Sequence, residues 1–163
     1  MTQKSLTAIY CDDIRNEVAG KFSLMGVYGH ELIFPSFPAV LNKLHVHTVL
    51  SFPYGEQPKT SIKVIVLNRD ETLTEFGLDG EALKSIEVPE PDAEIPVDER
   101  RLLFTVGFIL SPFLAAEPTT IKIRAYIDGE EIKGNGLRVR LATAAERPAL
   151  GFPPLDETNT PSS

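Results

Sequence analysis

The run Ile121-Lys122-Ile123-Arg124-Ala125-Tyr126-Ile127 is followed by Asp128-Gly129 and, after Gly134-Asn135-Gly136, by Leu137-Arg138-Val139-Arg140-Leu141. In both runs an apolar residue stands at every second position. Successive side chains of an extended strand point to opposite faces, so this rhythm builds a sheet with one dry side. The β-branched character of the apolar positions agrees with that reading. Asp128-Gly129 predicts a two-residue type I′ hairpin, because that turn needs positive φ at both central positions. The parity of the inward residues changes across Gly134-Asn135-Gly136: Ile132 is even, whereas Leu137, Val139 and Leu141 are odd. One residue is gained or lost there, which predicts a bulge or small loop.

The same alternation recurs outward from this stretch, as in Ile62-Lys63-Val64-Ile65-Val66. Prolines such as Pro35, Pro38, Pro53, Pro58, Pro89 and Pro112 lie between the alternating runs and not within them. A proline cannot donate to a ladder, so this placement suits strands bounded by turns. About ten strands are expected, at 6–11, 22–28, 31–34, 43–52, 61–68, 73–76, 85–88, 101–110, 120–127 and 137–141. The fold class expected is all-β: an antiparallel two-sheet β-sandwich, immunoglobulin-like or C2-like, with at most one or two helical turns near 79–84 and 142–147. Residues 1–147 form the domain, and 148–163 read as a disordered Pro-rich tail that lacks the apolar residues to offset its ordering entropy.

Cys11-Asp12-Asp13-Ile14-Arg15-Asn16-Glu17, followed by Gly20-Lys21-Phe22-Ser23-Leu24-Met25-Gly26-Val27-Tyr28, resembles the signature of an uncharacterised bacterial family, a domain of unknown function. Phe34-Pro35-Ser36-Phe37-Pro38 with Leu41-Asn42-Lys43-Leu44, and Asp128-Gly129-Glu130 before Leu137-Arg138-Val139, are similar to that family too. The resemblance covers about residues 6–142. It implies a small β-rich bacterial domain, and it implies no activity, substrate or catalytic residue.

The chain of 163 residues carries a formal charge of −7, which argues against nucleic acid as a partner. The charge is uneven. Residues 70–99 hold eleven acidic side chains against the single base Lys84, a balance of −10, which leaves +3 for the rest. Cys11 is the one cysteine, so no internal disulfide framework exists and a reducing compartment is expected. The N-terminal residues lack a signal-peptide profile, no apolar run is long enough for a membrane span, and the location expected is cytoplasmic.

Four constellations bear on function. Asp12 and Asp13, with Arg15 and Glu17 nearby, could supply carboxylates to Ca²⁺, but adjacent acids at a strand end are also ordinary turn residues, and a calcium site needs more oxygens. His45 and His47 lie two apart on one strand face, a workable pair for zinc that lacks the further ligands a tetrahedral site requires. The outward residues Lys122, Arg124, Arg138 and Arg140 form a cationic stripe if their strands are neighbours. Like charges opposite one another are unfavourable, so the acidic stretch or an acidic partner should offset them. In 101–110, Leu103 and Ile109 make the second strand face apolar, which implies either a covering loop (Phe34 to Pro38 is the candidate) or a subunit interface.

No Gly-x-Ser-x-Gly elbow, phosphate-binding loop or Cys–His pairing motif is present, and Cys11 lies in an apolar strand as a packed thiol. The function expected is a non-enzymatic protein-binding or assembly module without cofactor, its partner a protein or a second copy. The alternative is a Ca²⁺- or transition-metal-dependent ligand-binding domain. A hydrolase stands behind both.

Overall fold

A computed structural model describes residues 3–155. The alternating runs fold as strands: β1 (Ser5–Asn16), β2 (Phe22–Tyr28), β3 (Glu31–Phe34), β4 (Ala39–Leu41), β5 (Leu44–Pro53), β6 (Ser61–Asn68), β7 (Glu71–Asp79), β8 (Arg101–Leu110), β9 (Phe113–Ala115), β10 (Thr119–Ile127), β11 (Glu130–Lys133) and β12 (Leu137–Leu141). Among the described residues helix is confined to α1 (Gly80–Lys84) and a 3-10 turn at Val18–Gly20. One sheet runs β2-β1-β5-β8; the second runs β3-β12-β10-β6-β7, with β11 also on β10; β4 and β9 pair apart from both. The dry faces meet in one core, with Tyr10, Leu44, Val46, Leu50 and Phe52 on one side and Ile62, Val64, Ile121, Ile123 and Leu137 on the other. The all-β sandwich is therefore the fold.

Asp128 (φ 52) and Gly129 (φ 88) both adopt positive φ, as the expected hairpin requires. The Asp128 carboxylate accepts backbone N–H groups of Lys59, Thr60 and Ser61. Burial opposes its ionisation, but those hydrogen bonds outweigh it and hold the acid far below the usual carboxylate range. The parity change is also real. Ile132 stands opposite Ala125 and Leu137 opposite Ile121, so five steps on one chain match four on the other. The extra residue is housed at Gly134-Asn135-Gly136, where a Cβ on Gly134 would lie 2.9 Å from Leu6 Cγ and one on Gly136 2.9 Å from the Ile121 carbonyl oxygen.

Several elements differ from expectation. Residues 85–88 form no strand: Ser85 closes the turn of α1 through its N–H to the Glu81 carbonyl, and Pro89 follows at once. The strands β4 and β9 are only three residues long, below the reach of a period-two signal. One ladder, β3 with β12, is parallel in an otherwise antiparallel structure. The Phe34–Pro38 loop leaves Leu103 and Ile109 of β8 exposed, and its Phe37 packs edge-on against Phe34 at 5.9 Å. Near 142–147, where a helical turn is expected, the chain forms hydrogen-bonded turns from Thr143 and no helix. Residues 148–155 follow the buried Arg147, which donates to the Pro35 carbonyl (2.8 Å) and to that of Pro153. The rest of the expected tail lies outside the described residues.

Candidate interaction surface

The outward face of the β1-β5-β8 ladder carries Ile9 and Cys11, then His45 and His47, then Gly107 and Ile109, in adjacent cross-strand rows. Half of it is covered. Phe22 pairs with Asn16 at the far end of the β1-β2 hairpin, yet its ring lies 4.8 Å from that of His47, which sits opposite Ile9. An extended strand separates residues 9 and 16 by about 23 Å, so the hairpin tip bends back over the sheet. This arm explains why Cys11 and His45 are only 0% and 6% exposed although both point away from the core. Burial pushes the Cys11 thiol up and the Asp12 charge adds to that, outweighing the hydrogen bond from the Asp13 backbone, so it is a poor nucleophile.

The two histidines share a face, as their spacing predicts, but under the arm and not in open solvent. His45 Nε2 is buried without a hydrogen-bond partner, 3.7 Å from Asp13 Oδ1. Burial holds its pKa below the ordinary histidine value, Lys43 adds to the effect and Asp13 opposes it. His47 is shifted the same way by burial. Asp13 takes Lys43 Nζ at 2.6 Å and stands 3.7 Å from Arg15 Nε, and the Lys43 bond keeps its carboxyl ionised to lower pH than usual. Asp12 accepts the Tyr28 hydroxyl instead. Neighbouring strand residues face opposite ways, so these two carboxylates do not converge. Among the described residues no three His, Cys, Asp or Glu side chains group as a metal site would need.

The cationic stripe is neutralised within the chain. Lys122 reaches Asp70 (3.2 Å), Arg124 reaches Glu131 (3.7 Å), Arg138 reaches Glu31 (3.5 Å), and Arg140 bridges Glu31 and Glu146 at 2.8 Å each. The stripe also does not face itself, since Arg138 stands opposite Thr120. The Arg140 bond holds Glu146 down to about 2, with the Thr143 amide and hydroxyl assisting. Only Asp70 in this set comes from the acidic stretch. Glu75 of that stretch pairs with Lys63 at 2.9 Å. The eight carboxylates from Asp79 to Glu99 make no ion pair among the described residues.

β8 is the outer strand of its sheet, with a neighbour on one side only. Leu103 (67%) and Ile109 (62%) are strongly exposed on it. Between them Gly107 has an unremarkable backbone, and no atom lies within 4 Å of where a Cβ would sit. A cavity of about 150 Å³ lies where residues 86–89 run past Leu102, Leu103 and Phe104, with Phe52, Ile62 and Leu83 also in its walls. Alternate residues of a strand face opposite ways, so a hollow that touches Leu102, Leu103 and Phe104 together wraps the strand's free edge. A second hollow of about 120 Å³, lined by Glu90, Asp92 and Ile95, shares Pro89 and Leu102 with the first. Leu103 and Ile109 were legible in the sequence as surplus apolar residues, whereas the seam beside them depends on the fold of 85–100 and carried no periodic signal.

A family model described as a family of unknown function, DUF6941, matches residues 6–140. Comparison with curated proteins and with solved structures returned no match.

Proposed function

Because the chain belongs to DUF6941, a family of unknown function, we propose its role from the surface alone: a non-enzymatic protein-binding module of the bacterial cytoplasm, whose docking face is β8. The observation that carries this reading is Gly107. A glycine inside a strand is destabilising by about 0.5–1 kcal/mol relative to alanine. Neither a positive φ nor a packed neighbour requires it here. Glycine in a strand marks places where another backbone comes close, and this one stands between the exposed Leu103 and Ile109. The internal pairing of Lys122, Arg124, Arg138 and Arg140 favours β8 over the cationic stripe as the docking face. The buried Cys11 thiol, pushed up in pKa, and the divergent Asp12 and Asp13 favour a binding role over catalysis or metal-dependent recognition.

The test is quantitative affinity capture from the native cell with the wild-type chain and with a Leu103→Asp/Ile109→Asp variant, with light scattering of both. The expected result is a protein retained by the wild type and lost by the variant, while their circular dichroism and Tm agree. Identical captured sets, or none, would remove β8 as a docking face.

A further inference from the structure

We infer that the seam between β8 and residues 85–100 receives an extended, cationic segment of another protein, one apolar side chain of which fills the hollow beside Leu103. The inference rests on the binding role proposed above and names its partner. The hollow is about 150 Å³, near the size of a cavity that holds one benzene and well below the several hundred Å³ of a metabolite pocket. It therefore suits a single anchoring side chain. Its wall contains Gln57, whose Oε1 is buried and receives no donor. It wraps the free edge of β8, where unpaired backbone groups can extend a ladder with an added strand.

Charge selects the occupant. From Asp79 to Glu99 there are eight carboxylates and one base, Lys84. Among the described residues none of these acids is in an ion pair, although Lys4, Lys63, Arg69, Lys122 and Arg140 elsewhere each hold a carboxylate within 3.2 Å. Glu87 lines the hollow, and Glu90 and Asp92 line its continuation. Arg100 and Arg101 also border that continuation, but both guanidinium groups are turned to carbonyls, of Ile95 (2.8 Å) and Gln3 (2.8 Å) respectively. A second copy of the chain is the wrong partner. Edge-to-edge pairing of β8 about a two-fold axis would bring two such acidic segments together, in chains that each carry −7, and like charges juxtaposed at an interface oppose association. A lysine- or arginine-bearing strand with apolar residues at alternate positions satisfies the edge, the hollow and the acids together.

The test is an NMR titration of the full chain with a capped heptapeptide of alternating lysine and valine, beside its glutamate–valine counterpart. Saturable binding of the lysine peptide is expected, with amide shifts concentrated at 86–92 and 102–106. The affinity should fall about tenfold or more between about 0.05 M and 0.5 M salt. Glu87→Lys/Glu90→Lys, two exposed changes that leave the core alone, should weaken binding about tenfold. Leu103→Ser, which removes apolar wall and adds no charge, should weaken it independently of charge reversal. Equal binding of the glutamate peptide, shifts centred elsewhere, or no saturation would overturn the inference. If partners captured from the cell still depend on Leu103 and Ile109 in that event, the docking face stands and only its cationic occupant falls. A concentration-dependent dimer abolished by Leu103→Asp would overturn the choice against a second copy.

Discussion

The side-chain amide of Asn135 takes the place of a missing strand against Ala8: its Oδ1 accepts the Ala8 N–H at 2.7 Å and its Nδ2 donates to the Ala8 carbonyl at 2.8 Å. β2 pairs with β1 only from Tyr10 onward, so Ala8 has no backbone neighbour on that edge. The Tyr10 hydroxyl adds a bond to the Asn135 carbonyl at 2.9 Å. The residue gained in the β11–β12 slip is thus what sews one sheet to the other. Asn135→Ala should lower unfolding free energy by about 1–3 kcal/mol, the range for leaving buried backbone partners unmet. Asn135→Asp should recover little of it, since a carboxylate oxygen would face the Ala8 carbonyl. Urea denaturation measures both.

Gly107 offers a contrast between stability and binding. Gly107→Val should leave the isolated chain as stable or raise its stability by about 0.5–1 kcal/mol, because the site is open and β-branched residues favour strands. Capture of a partner should fall, since the added side chain occupies the approach. Denaturation and quantitative capture on the same protein read the two effects separately. A loss of stability with capture intact would contradict the role given to this glycine.

His45 makes stability depend on pH near neutrality. Its folded-state pKa lies below the ordinary value, so the unfolded chain takes up the proton first. The stability it contributes is complete above about pH 6.5 and is lost as pH falls below that value. Tm should therefore decline from pH 7.5 to 5.5, and the decline should be shallower in His45→Gln. Parallel profiles for the two proteins would mean that His45 is protonated in the fold without penalty.

The Arg140 bridge titrates in a lower window. Glu146 has a folded pKa of about 2 against about 4.3 unfolded. Its contribution is present above about pH 4.3 and disappears as pH falls through about 2. Glu146→Gln should lower Tm at pH 7, and the gap from wild type should narrow steadily between pH 4.5 and 2. A gap of constant size would assign the loss to the Thr143 contacts and not to the charge.

Local features of the chain were legible because local physics determines them. The alternation in 121–127 produced β10, Asp128-Gly129 produced its turn, and the even-to-odd change located the slip at Gly134-Asn135-Gly136. Features set by distant segments were not. Nothing near Glu31 says that its neighbour is Arg138, and nothing near His45 says that Phe22 will return to lie over the same face. The cationic stripe was visible, yet its partners Glu31, Glu131 and Glu146 come from segments outside the acidic stretch, because ion pairs follow spatial order and not clustering along the chain. The apolar surplus of β8 was visible as well, but its edge position was not, since strand order in a sandwich leaves no mark on a single strand.

The parallel β3–β12 ladder sets a timetable for synthesis. Glu31 and Arg138 are 107 positions apart, so β3 leaves the ribosome long before the strand that will shield it. Until β12 clears the exit tunnel, Leu32 and Phe34, both buried in the finished fold, have no ladder neighbour to hold them. A nascent chain halted before residue 137 therefore presents an apolar strand to proteases and chaperones, and only the last strand of the domain withdraws it.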